Sequence, residues 1–146
     1  MGGPPEIRNR TSEEPVRKRN SLRSEKGQAT TEFAVVLPIL VVLLFGIIQF
    51  GIAFKDYLSL TDAVRAGARK AAVSRNASDP VGVTRTSVRN AASDLDQSKL
   101  PDPAVASTWQ PGTDVKVTAQ YPYRIHLFGI PVASGNLKSS TTERVE

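Results

Sequence analysis

From Phe33 to Phe54 the chain runs for 22 residues without a charge, FAVVLPILVVLLFGIIQFGIAF, and this stretch constrains everything around it. At a helical rise of about 1.5 Å per residue it extends about 33 Å, enough to cross a hydrocarbon core of about 30 Å. A soluble core helix does not fit, because only Gln49 interrupts the apolar circumference and no polar face exists. A secretory signal peptide is a second alternative, since Gly51-Ile52-Ala53 supplies small residues for a cut after Ala53. Against it, 18 apolar-type positions precede Gly51, whereas signal cores run about 7 to 15 residues. A membrane-spanning helix over residues 28–54 is the favoured reading.

Within that run Pro38 removes one backbone hydrogen bond and can kink the helix. A tolerated membrane proline and a local melt that helps the helix repack on leaving the bilayer both fit. Gly46 and Gly51 are five apart, so they do not form a GxxxG packing face. Glu32 sits one position before the run. A carboxylate there suits the first turn of a helix and can stay in the headgroup layer; drawn into lipid, it calls for a partner.

Charge orients the segment only weakly. Residues 1–27 carry seven Lys/Arg against four Glu, a net +3 of the total +5. They hold almost no large apolar side chain and read as a disordered basic cytoplasmic leader. Within 20 residues of the run, five Lys/Arg precede it (Arg17, Lys18, Arg19, Arg23, Lys26) and four follow it (Lys55, Arg65, Arg69, Lys70). That difference of one slightly favours a cytoplasmic N-terminus.

The isoelectric point near 9.8 suggests nucleic acid, but the remaining charge is scattered and forms no basic stripe with interleaved aromatics. No nucleic-acid partner is expected. Cysteine is absent, which excludes disulfides and thiolate metal sites. His126, the one histidine, lies between Ile125 and Leu127 and reads as packed or interfacial. With no phosphate loop and no paired-His motif, the chain is expected to have no catalytic residue, no metal and no cofactor.

The stretch GQATTEFAVVLPILVVLLFGIIQFGIAF carries Glu32-Phe33, Leu37-Pro38, Phe45-Gly46 and Phe50-Gly51 in one register. It resembles the opening of the TadE-like minor pseudopilins of the Tad (Flp) pilus system, specifically over residues 24–75 and more loosely beyond. The resemblance implies cleavage between Gly27 and Gln28 by prepilin peptidase, a membrane aspartyl protease acting on the cytoplasmic side. It further implies assembly roles for Glu32 and Phe33, and partnership with other pilin or pseudopilin subunits and the Tad assembly platform. A residue without Cβ at position 27 lets a protease approach the backbone closely. Cleavage would leave Glu32 as the fifth residue, about one helical turn from the new α-amine.

Beyond the membrane the helical pattern continues. Tyr57, Leu60, Val64, Gly67, Ala68 and Ala71 share one face, so one helix is expected from about Ala29 to about Arg75. Its small-residue stripe (Ala63, Ala66, Gly67, Ala68, Ala71, Ala72) could pack on the chain's own C-terminal part or on another subunit. Asp79-Pro80 reads as an N-cap and first-turn proline of a second helix ending between Asp96 and Leu100. A Pro-rich loop follows, with Trp109 as its anchor. Asp114 to Tyr121 alternates as a strand. Tyr123 to Val132 reads as an irregular strand or membrane-proximal loop, and Asn136 to Val145 as a last strand.

The expected organisation is a 1–27 leader, a 28–54 membrane helix, a 55–78 amphipathic extension and a 79–146 extracytoplasmic α+β domain. The function it implies is a structural component of a Tad-type pilus or related secretion apparatus, held in the cytoplasmic membrane. The alternatives are an uncleaved single-pass membrane protein with an outer interaction domain, and a soluble protein released after Ala53.

Overall fold

A computed structural model describes residues 1–3 and 21–146, with residues 21–26 described by their backbone only. The disorder expected of the leader therefore falls, over residues 4–20, outside the described residues. Five elements follow in order: α1 (Ser21–Ala72), α2 (Pro80–Ala91), β1 (Ala104–Ala106), β2 (Asp114–Leu127) and β3 (Ile130–Arg144). The α+β class is the one the sequence indicates. The chain divides into two units, Met1–Leu40 and Val41–Glu146.

The first unit is helical from Ser21, eight residues before the expected start. Leu22, Arg23, Glu25 and Lys26 are good helix formers and no proline lies among them, so the helix reaches into the leader. Its residues from Gly27 to Leu40 are all exposed.

In the second unit α1 ends at Ala72, three residues earlier than expected. There Ser74 Oγ donates to the Lys70 carbonyl, and the backbone N–H of Glu146 donates to the Ala72 carbonyl at 3.0 Å. These bonds satisfy helix-end carbonyls that have no partner within the helix. The buried stripe of α1 is Leu60, Ala63, Val64, Ala68, Ala71 and Ala72, and it packs in one core with Val88, Ala92, Leu95, Leu100, Val115, Val117, Ala119, Tyr121 and Val145. The small-residue stripe is thus covered by the chain's own α2 and sheet. Tyr57 was expected on this face but stays 40% exposed, because the core begins at Leu60.

At Gly67 the two helices α1 and α2 come close together. A Cβ built there would overlap Val88 Cγ2, and it would sit 3.6 Å from the Thr84 carbonyl. Thr84 is fully buried one turn before Val88 and returns its hydroxyl to the Pro80 carbonyl at 2.8 Å, so it makes no polar demand on the core.

α2 starts where the sequence indicates: Asp79 accepts a hydrogen bond from the Gly82 N–H at 2.8 Å, with Pro80 in the first turn. It ends at Ala91, well before Asp96. The Gln97 amide folds back and donates to the Ala92 carbonyl at 2.6 Å, replacing the helical bond that a longer α2 would make. Leu95 and Leu100 still reach the core from the non-helical segment. Arg89 then ties that segment to α2 through the Leu100 carbonyl at 3.2 Å and the Asp102 carboxylate at 2.7 Å.

The sheet is antiparallel in the order β1-β2-β3. Val115, Val117, Ala119 and Tyr121 turn inward from β2, as their alternation predicts. Of the two readings of Tyr123 to Val132, the irregular strand is the one the structure takes. It is the end of a long hairpin, with Leu127 paired to Ile130 across the two-residue turn Phe128-Gly129. Both turn residues have positive φ, 50° and 83°, the geometry that matches the twist of a tight hairpin. A register shift at Ile125/His126 leaves Val132 as an extra residue on β3, a β-bulge. Trp109, with φ 56°, packs against the core from the Pro-rich loop and anchors it.

Candidate functional site

In the first unit, the residues singled out for processing and assembly lie on successive turns of α1. The Gln28 amide donates to Glu32 Oε1 at 3.0 Å, and the Thr31 hydroxyl donates to the Gly27 carbonyl at 3.0 Å. Both are i,i+4 contacts that the helical spacing dictates. The Gly27–Gln28 bond accordingly sits inside a closed helix. A protease that takes an extended backbone has to unwind this turn first, and a helix-interior glycine lowers that cost by about 1 kcal/mol relative to alanine. A Cβ at Gly27 would meet no heavy atom within 4 Å. Internal packing therefore does not require glycine here; its smallness and weak helix propensity are what distinguish it.

Glu32 is exposed, as is Phe33 at 58%. Among the described residues the side-chain partner of Glu32 is the neutral Gln28 amide. Pro38 lies within α1, where it provides no N–H to the helical ladder. Phe33 and the large apolar side chains that follow it stand exposed through Phe54, apart from the half-buried Val41. The helix is long and apolar enough to cross a membrane, and none of its most apolar window is buried within the protein. Such an unburied apolar surface needs an apolar solvent or a partner.

In the second unit a polar level follows the apolar run. Lys55 Nζ lies 3.2 Å from Asp94, and the Ser59 hydroxyl donates to the same carboxylate. The Ser59 bond first, and then Lys55, hold the Asp94 carboxyl below the ordinary carboxylate range. This link between α1 and the segment after α2 escaped sequence reasoning, since Asp94 carries no local signal of its 35-residue reach to Ser59.

A groove of about 500 Å³ lies between this end of α1 and β2, lined by Gln49, Ala53 and Asp56 on one side and by Lys99, Tyr123 and His126 on the other. His126 is exposed there rather than packed. Gln49, the one polar side chain of the run, is half-buried and faces the groove. Among the described residues no group of three or more His, Cys, Asp or Glu is gathered to hold a metal ion.

No curated protein and no solved structure matches the chain. Residues 27–69, from the glycine of the expected cut to the last turn of α1, match the family model described as TadE-like protein.

Proposed function

We propose that the chain is a minor pseudopilin-like structural component of a Tad/Flp-type pilus or a related secretion apparatus, processed by prepilin peptidase after Gly27. The family match that opens at Gly27 carries this reading. The exposed apolar helix supports a single-pass membrane protein, with the N-terminus cytoplasmic and the α+β domain outside. Its role is structural rather than catalytic.

Cleavage removes residues 1–27 and their net +3 and leaves an α-amine on Gln28. Glu32 then carries a carboxylate one turn away, held among the described side chains by the neutral Gln28 amide. Pairing with the amine of a neighbouring subunit lowers the cost of holding either charge near lipid. Assembly thus follows from processing, because only the cut chain offers the amine. Glu32→Ala is expected to be processed normally yet to fail incorporation into pilus complexes; normal incorporation would refute the pairing.

An uncleaved single-pass protein with an outer interaction domain is the second reading. The closed helix around the Gly27–Gln28 bond favours it.

A further inference from the structure

We propose that the tip of the β2–β3 hairpin inserts into the outer leaflet of the bilayer beside α1, so that the protein contacts the membrane at two places. The proposal rests on the membrane-spanning reading of the apolar run.

The tip, Leu127-Phe128-Gly129-Ile130-Pro131-Val132-Ala133, has no charged or polar side chain. Three of its large residues are mostly exposed: Phe128 is 63% exposed, Ile130 66% and Val132 56%. Yet the tip is placed against α1 at a definite point, for the rings of Phe128 and Phe45 lie 5.3 Å apart at 54°, within the favourable range for tilted aromatic pairs. Phe45 belongs to the uncharged run, ten residues before Lys55. That separation is about 15 Å of helical rise. Whatever solvent surrounds Phe45 therefore surrounds the tip as well.

The polar groups fall at a matching height. Arg124 precedes Phe128 by four residues, about 13 Å along a strand, and so returns to the level of Lys55 and Asp56. Arg124, Asp56, Lys99, Tyr121 and Tyr123 line the same groove. Charged heads and tyrosines at one level, with bare apolar side chains below, are what a membrane interface selects.

The hairpin's own backbone limits the depth. Beyond Thr118, β2 pairs with β3 only, so the tip keeps unpaired N–H and C=O groups on its outer edges. Such edges are not tolerated in the hydrocarbon centre. Insertion stays within roughly the outermost 5–10 Å, as for interfacial segments. The hydrocarbon edge then lies near Ile48 to Ile52, and Gln49 and His126, which both line the groove, lie near the headgroup layer.

The chain has no cysteine, so single nitroxide labels are direct probes. The full chain would be reconstituted at low protein-to-lipid ratio in phosphatidylcholine–phosphatidylglycerol vesicles, with labels at Val132→Cys, Ile130→Cys, Val42→Cys and Thr142→Cys. Relaxation by oxygen against a water-soluble nickel chelate reads the surroundings of each label. The expected result is oxygen-dominated relaxation at positions 130, 132 and 42, and nickel-dominated relaxation at 142. Lipid surroundings at 42 with water at 130 and 132 would overturn the tip insertion while leaving the membrane span intact. Water at 42 would overturn the span and the proposal together. Shielding of 130 and 132 from both reagents, lost on dilution into more lipid, would assign the tip to a second copy of the chain and also overturn it.

Discussion

Gly67→Ala tests how α1 and α2 are held together. In an isolated helix the exchange stabilises by about 1 kcal/mol, since alanine loses less backbone entropy than glycine. Here the new Cβ overlaps Val88 Cγ2. Val88 is fully buried and, being β-branched on a helix, has essentially one χ1 rotamer and cannot turn aside. Overpacking of this kind costs about 1–3 kcal/mol, so the net effect is a destabilisation of about 0–2 kcal/mol. Val88→Ala alone removes two γ-carbons at about 0.8 kcal/mol each and leaves a cavity, costing about 2–3 kcal/mol. In that background the overlap is gone and Gly67→Ala becomes stabilising, giving a coupling of about 1–3 kcal/mol in favour of the double variant. Denaturant unfolding of the full chain in detergent, followed by Trp109 fluorescence, reads all four stabilities. Single effects that add within about 0.5 kcal/mol would refute the close approach at Gly67.

Removing the α2 cap, Asp79→Ala, is expected to cost about 1 kcal/mol, with most of the loss restored in Asp79→Ser; the same unfolding assay measures it. Asp96 is held at about 2 by the Lys99 ammonium first, then by the hydroxyl and backbone N–H of Ser98. A carboxyl lowered in the folded state binds fewer protons than in the unfolded chain, so its stabilisation is present above the ordinary value of 3.8 and is lost as pH falls toward 2. Thermal melts between pH 5 and 2 should therefore show a shallower acid destabilisation for Asp96→Asn than for the parent; identical slopes would contradict this.

The elements legible in the sequence are those whose periodicity is set by burial. The small-residue face of α1 and the alternation of Val115, Val117, Ala119 and Tyr121 read directly because each side chain meets the core. The far end of the hairpin did not, because Pro122 and Pro131 read as breakers. They are accommodated where β2 has a partner on one side only, so a missing N–H need not break the ladder. The turn was equally silent, since Phe128 at positive φ lacks the Asn-Gly or Asp-Gly signature. β1 is three residues long and follows a buried proline, too short to show alternation. Of the candidate site, Gly27, Gln28, Glu32, Phe33 and Pro38 were all named from the sequence. What was missed there is tertiary: the Ser59–Asp94–Lys55 link and the groove at Gln49 join segments that no local pattern relates.

The central claim is that the chain is cut between Gly27 and Gln28 before it assembles. Mass spectrometry of the N-terminus of the membrane-extracted protein, with and without the cognate prepilin peptidase, tests it most directly. The account predicts a start at Gln28 that is lost, with the leader retained, when the peptidase is absent. A start at Met1 or Gly2 in both samples would identify the uncleaved anchor, a start at Phe54 the secreted form, and a start at Gln28 without the peptidase would contradict its assignment to that enzyme.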